Sequence, residues 1–205
     1  MKRVGIVALQ GDFAAHAAAL QNAGVETREL RRVADLEGLS GIVLPGGEST
    51  TLLNLMGDEP WFEALRRFHA RGGAIFGTCA GVILLAREVR PAQKSLALLD
   101  ATVERNAYGR QVDSFESRLQ APALGFDIDA VFIRAPRFRA LGPQVEVLAQ
   151  LDGEPVLVRQ DRILAATFHP ELTASTALHR YFTELGADTG RQRAPRSAEL
   201  LAQSA

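Results

Sequence analysis

Residues 74–86 read Ala-Ile-Phe-Gly-Thr-Cys-Ala-Gly-Val-Ile-Leu-Leu-Ala. A short apolar run is followed by Gly77-Thr78-Cys79-Ala80-Gly81 and then by a second apolar run. The spacing is that of a nucleophile elbow, a strand turning sharply into a helix, with sulfur where a hydroxyl often stands. Such a turn needs residues without a Cβ on both sides, so that the central side chain projects from the C-terminal edge of a sheet. Gly77 and Gly81 meet that need. A lone cysteine is more often an inert, buried small hydrophobe, and its neighbours are what favour a nucleophile here.

The segments to either side keep to the same scheme. RVGIVAL (3–9) reads as a buried strand and DFAAHAAALQNAG (12–24) as an Ala-rich helix with Gly24 as its stop. VETREL (25–30) and GIVLP (41–45) read as further strands, WFEALRRFHARGG (61–73) as an amphipathic helix, and AIFG (74–77) as the strand that feeds the elbow. Strands alternating with helices imply a parallel sheet covered on both faces. The second half changes rhythm. SLALLDATVERN (95–106), VFIRAP (131–136), VEVLAQLDGEPVLVRQ (145–160) and RILAATFHP (162–170) are strand-like, and Asp152-Gly153 marks a hairpin. The sheet is expected to gain antiparallel strands there, and a last helix is predicted over about 174–185. The fold class is therefore α/β: a three-layer, flavodoxin-like mixed sheet with a parallel core and added antiparallel strands.

Composition narrows the partners. The 205 residues form one domain's worth of chain, expected over 1–186, with 187–205 as a mobile tail of little apolar periodicity. A net charge of -1 gives no general attraction to nucleic acid or anionic membrane. No apolar run approaches the roughly 18 residues of a membrane span, and the N-terminal run is too short for a secretion signal. A single cysteine excludes an internal disulfide and fits a reducing cytoplasm.

A helix beginning after Cys79 aims its unpaired N–H groups at the sulfur, where negative charge is then favoured. The Ala80 N–H points to where an oxyanion would form. A second donor is expected from LPGGEST (44–50), where Pro45-Gly46-Gly47 follows a strand at the same sheet edge, and Gly47 is the candidate. The same stretch also fits an ordinary turn leading into a helix capped by Ser49 or Thr50.

A thiol nucleophile needs a proton carrier. His16, His69 and His179 fall inside predicted helices, where surface or packing roles are expected. His169 differs, because FHPE follows a strand and Pro170 keeps its predecessor extended. His169 and Glu171 then share one face of the chain, so that the carboxylate accepts from Nδ1 and leaves Nε2 toward the sulfur. Cys79, His169 and Glu171 are the expected catalytic triad.

These residues resemble the class I glutamine amidotransferases, which carry a G-x-C-x-G elbow and a late H-x-E pair. LQGD (9–12), LPGGEST (44–50), GTCAG (77–81), VERNAYGRQVDSFE (103–116), FIRAP (132–136) and FHPELT (168–173) together resemble the glutaminase subunits of pyridoxal 5′-phosphate synthases. The resemblance implies attack of Cys79 on the side-chain amide of L-glutamine, a glutamyl thioester, and release of ammonia. It places glutamine contacts on Gly47, Glu48, Ser49, Arg105, Ile133 and Arg134. A guanidinium suits an α-carboxylate, which independently favours Arg105 or Arg134. It implies no metal and no cofactor, and a partner synthase subunit of barrel fold that forms the pyridoxal 5′-phosphate ring. Docking is expected to complete the oxyanion hole around Gly46 and Gly47, with Gln10 and His16 of the first helix in the contact. Ala97 departs from the family's glycine. Rival readings are the cysteine hydrolase and chaperone branch, which places histidine where Ala80 stands, a non-catalytic binding subunit, and a glutaminase serving another acceptor.

Overall fold

The computed structural model describes residues 3–105 and 114–186. The predicted tail and the whole NAYGRQVD part (106–113) of the motif at 103–116 lie outside the described residues. The first half runs β1 (Arg3–Val7), α1 (Phe13–Asn22), β2 (Glu26–Leu30), β3 (Gly41–Leu44), α2 (Ser49–Met56), α3 (Trp61–Ala70), β4 (Ala74–Thr78) and α4 (Ala80–Leu85). The second half adds β5 (Ala86–Arg90), β6 (Leu99–Glu104), β7 (Phe115–Leu119), β8 (Ile128–Phe132), β9 (Arg137–Leu141), β10 (Glu146–Leu151), β11 (Glu154–Gln160), β12 (Ile163–Ala166) and α5 (Ala177–Leu185).

A seven-stranded sheet in the order β10-β11-β12-β4-β3-β1-β2 forms the centre. Its strands from β12 to β2 pair in parallel, whereas β10 and β11 are antiparallel additions at one edge. Successive strand residues point to opposite faces, and both faces are apolar. Ile42, Leu44 and Ile75 face one core with Leu52, Leu65 and Val82 from α2, α3 and α4. Val43, Ala74 and Phe76 face the other, with Leu20 of α1 and Leu178 and Phe182 of α5. The expected three layers follow from that division. Among the described residues no helix is long and apolar enough to cross a membrane.

The elbow glycines are required by contact. A Cβ on Gly81 would lie 2.1 Å from the Leu44 carbonyl oxygen of β3, and one on Gly77 would lie 2.8 Å from the Gly81 carbonyl carbon. Helix α4 therefore seats directly on the sheet. It lasts only six residues, because Ala86 already enters β5, which pairs with β6 in a three-stranded sheet closed by β9. Strands β7 and β8 form a separate hairpin. The stretch 131–136, read as one strand, is divided instead: β8 ends at Phe132, and Arg134 has φ 44°. The last helix starts three residues later than the predicted 174.

Candidate active site

Four loops leave the C-terminal edge of the parallel strands and meet over Cys79. The sulfur-bearing residue sits between β4 and α4 with φ 45° and ψ -103°. For a residue with a Cβ this is a costly backbone state, on the order of 1–3 kcal/mol, and it is held by its surroundings. The Cys79 N–H donates to the Ala166 carbonyl at 2.9 Å, and its own carbonyl accepts from Val82 N at 3.0 Å. The Cys79 Sγ lies 3.9 Å from the Ile133 carbonyl oxygen.

His169 follows β12 and is tied across to β8, its N–H donating to the Val131 carbonyl at 2.8 Å. Its ring Nδ1 lies 2.8 Å from Glu171 Oε1, and both residues are buried. Burial alone would depress the imidazole, but hydrogen bonds to Cys79 and Glu171, with their charges, raise it to about 10. That direction favours the protonated ring. Burial likewise opposes ionisation of Glu171, yet His16, then His169, hold its carboxyl well below the usual range. The three expected triad residues are thus brought together, with a neighbour that the sequence reading did not assign.

That neighbour is His16. It was expected in a docking surface, but it is completely buried, its ring Nε2 3.3 Å from Glu171 Oε2 and 3.0 Å from Thr78 Oγ1. The Ala-rich segment carries it inward because α1 lies against the sheet, and Phe76 of β4 meets its ring edge-on at 6.1 Å. His179 is also buried, consistent with a packing role, and only His69 lies toward solvent, its Nδ1 3.2 Å from the Gly73 carbonyl.

A cleft of about 170 Å³ opens above the sulfur, lined by Asp12, Gly47, Glu48, Ser49, Cys79, Ile83, Arg105, Ile133, Arg134 and His169. All six residues expected to contact glutamine are in that wall. Ala80 is fully buried in the first turn of α4, outside the wall. Gly47 adopts φ 132°, and the Gln10 amide lies over it, donating to the Glu48 carbonyl at 3.1 Å and accepting from Glu48 N at 3.3 Å. Glu48, rather than Ser49 or Thr50, caps α2: its carboxylate accepts from Thr50 N at 3.2 Å and Thr51 N at 2.7 Å. The Thr50 hydroxyl also donates to it, and with these bonds outweighing burial the Glu48 carboxyl falls to about 2.

Sequence reasoning missed Gln93. Its Oε1 accepts from Ser49 Oγ at 2.9 Å and from the Arg105 guanidinium, joining two walls of the cleft. It also missed Asp12, whose Oδ2 is 3.5 Å from His169 Nδ1. Asp12, His169 and Glu171 bring three potential ligand atoms within 4.8 Å of one another. Two of the three are already committed to each other by the 2.8 Å hydrogen bond.

Known proteins resemble this chain over almost its whole length. The profile of the SNO glutamine amidotransferase family matches residues 6–186. A Thermus thermophilus protein named pyridoxal 5′-phosphate synthase subunit PdxT is 56% identical over 185 residues, covering 89% of this chain and 96% of that one. A Deinococcus radiodurans protein of the same name is 51% identical over 191 residues, covering 90% and 97%. A crystal structure of a glutamine amidotransferase superposes with TM-score 0.85 at 51% identity, covering 90% of this chain and 98% of that chain.

Proposed function

The chain belongs to the SNO glutamine amidotransferase family, and from that premise we propose that it is the glutaminase subunit of a pyridoxal 5′-phosphate synthase. In this reading it hydrolyses L-glutamine to L-glutamate and ammonia and passes the ammonia to a synthase subunit that builds the ring. The observation that carries the reading is the convergence of the strained Cys79 elbow with the His169–Glu171 pair, 2.8 Å apart, at one small cleft. The cysteine hydrolase and chaperone branch is disfavoured by Ala80 and by the family match.

The chemistry follows from the protonation states. Arg105 or Arg134 holds the substrate α-carboxylate, which sets the side-chain amide over the sulfur. With its proton already resting on His169, Cys79 attacks the amide carbon as the thiolate, and the resulting oxyanion is held by backbone N–H groups of Gly47 and Ala80. His169, already protonated, gives its Nε2 proton to the departing nitrogen as the C–N bond breaks, so ammonia leaves and a glutamyl thioester remains. Water then loses a proton to the neutral imidazole and attacks the thioester carbon, and collapse returns glutamate and the Cys79 sulfur. Glu171 keeps the imidazole in the orientation that both transfers need.

Ammonia released to bulk water would be protonated and lost to synthesis, so the reading includes a docked partner. A cytoplasmic setting and the absence of a cofactor complete it. The test is glutamate release from L-glutamine by the full chain, with and without a cognate synthase subunit. Partner-dependent turnover that Cys79→Ala abolishes while assembly persists supports the proposal. Wild-type turnover in Cys79→Ala, or labelling by an electrophilic glutamine analogue anywhere but Cys79, overturns it.

A further inference from the structure

Behind the triad carboxylate lies a fully buried pair of imidazoles, His16 on α1 and His179 on α5. His16 Nδ1 is 3.0 Å from His179 Nε2, while the opposite ring nitrogen faces Glu171 Oε2 at 3.3 Å and Thr78 Oγ1 at 3.0 Å. One side chain therefore touches the residue preceding the nucleophile, the acid of the triad, and the final helix.

The protons of this chain can be assigned from its blind end. His179 Nδ1 is buried without a hydrogen-bond partner. A proton there would be a donor with no acceptor, whereas a bare ring nitrogen leaves only a lone pair unsatisfied, the cheaper state. Burial is the largest cause that lowers His179 to about 3, so the ring is neutral, and with Nδ1 left bare its one proton sits on Nε2. That proton points at His16 Nδ1, which must accept it. His16 consequently carries its own proton on Nε2, toward Glu171 and Thr78.

We infer that His16 is a positioning residue for the triad: its Nε2–H, hydrogen-bonded to Thr78 Oγ1 at 3.0 Å, stands 3.3 Å from Glu171 Oε2 and holds the carboxylate so that Oε1 faces His169, and His179 sets the tautomer that keeps the proton on that side. The inference rests on the glutaminase reading of the Cys79 cleft and extends it beyond the three residues that reading names. Glu171 lies entirely out of water and has two oxygens to satisfy. His169 holds Oε1, whereas Oε2 makes no hydrogen bond of ordinary geometry and faces His16 Nε2 at 3.3 Å, so loss of His16 would remove a favourable polar neighbour that water cannot replace.

The test compares His16→Gln and His16→Leu in the full chain with its synthase partner. The Gln amide nitrogen reaches the place of ring Nε2 and keeps an N–H facing Thr78 and Glu171, whereas Leu fills similar space without one. His16→Leu is expected to lose about 10- to 100-fold in kcat, as for a charge-assisted polar contact, with KM within about twofold. The basic limb of its pH profile should move to lower pH as His169 loses carboxylate support, and His16→Gln should restore most of both. The groups facing His169 are Cys79, Glu171 and Asp12. A limb shift that vanishes in an Asp12→Asn background would assign the effect to Asp12 and overturn the inference. His179→Leu should lower kcat in the same direction by a smaller factor, and an unchanged kcat would remove the tautomer argument.

A readout independent of turnover uses long-range proton–nitrogen NMR spectra of the free full chain. The His16 and His179 rings should each carry their proton on Nε2. A His16 ring protonated on Nδ1 alone, or a folded His16→Leu with wild-type kcat and an unmoved basic limb, would refute the proposal. If wild-type protein with its partner releases no glutamate, the glutaminase reading fails instead, and the NMR spectra still decide the proton assignment.

Discussion

Gly46 lies against the Cε1 side of the His169 imidazole: a Cβ at that position would stand 2.3 Å from ring Cε1 and 2.9 Å from Nδ1. The glycine loop after β3 is therefore not only a source of backbone donors. It is the surface on which the base rests, and Gly11 fits behind it with φ 87°, where a Cβ would reach 1.8 Å from the Gly46 carbonyl oxygen.

Gly46→Ala should displace the imidazole from the sulfur. The expected loss is about 10- to 100-fold in kcat, since displacement by about 1 Å has that effect on a positioned base. Thermal stability should change little by comparison. Partner-dependent glutamate release and a melting curve on the same variant check both halves, and an unaltered kcat would show that the ring has room to spare.

Gln93→Ala should weaken substrate binding rather than chemistry. Its Oε1 holds both Ser49 and Arg105, so its removal frees two cleft walls without touching Cys79 or His169. KM for glutamine is expected to rise about 5- to 20-fold with kcat within about twofold, the pattern of lost uniform binding. Steady-state kinetics over a wide glutamine range distinguishes this from a fall in kcat, which would place Gln93 closer to the reaction.

Stability should respond to pH through the His169–Glu171 pair. Raised from 6.5 to about 10, His169 contributes stability that is complete below about pH 6.5 and is lost as pH rises through about 10. Glu171, held below its ordinary 4.5, contributes stability present above that value and lost as pH falls below it. Glu171→Gln should flatten both limbs, because it removes the acid and the charge that supports the imidazole. Urea midpoints at about pH 3, 5.5 and 9.5 test this, and equal pH dependence in variant and wild type would contradict it.

Gly81→Ala should cost the fold more than any change in the cleft. The added methyl group would meet a main-chain oxygen of β3, which cannot rotate away, so α4 and β3 must separate. A loss of about 2–4 kcal/mol is expected, in the range of overpacked core sites, and chemical denaturation measures it directly. A loss within about 0.5 kcal/mol would mean that the elbow adapts.

The three residues proposed as a triad could be singled out in the sequence because each carries a local sign: paired glycines around Cys79, and Pro170 between His169 and Glu171. The alternation of strand and helix likewise gave the parallel core. His16 carried no such sign. In an Ala-rich helix the apolar face is broad, so periodicity does not say which way one histidine points, and only the packing of α1 on β4 and α5 turns it inward. Glu48 misled for another reason, since a carboxylate one residue before Ser49 caps a helix as well as a hydroxyl does. Strands β5, β7 and β9 are short and partly exposed, with charged residues in AREVR, FESRL and RFRAL that obscure alternation. Their pairing, distant in sequence, is what makes them strands.

The parallel strands also leave the molecule a back end. Cys79 and His169 both follow a strand's C-terminus, whereas the bends at Gly24 and Gly38 precede β2 and β3, and a Cβ at either would meet nothing within 4 Å. A fluorophore or surface linker attached there would sit across the full depth of the sheet from the cleft. Immobilised by that side, the protein would present its chemistry outward, every molecule in the same orientation.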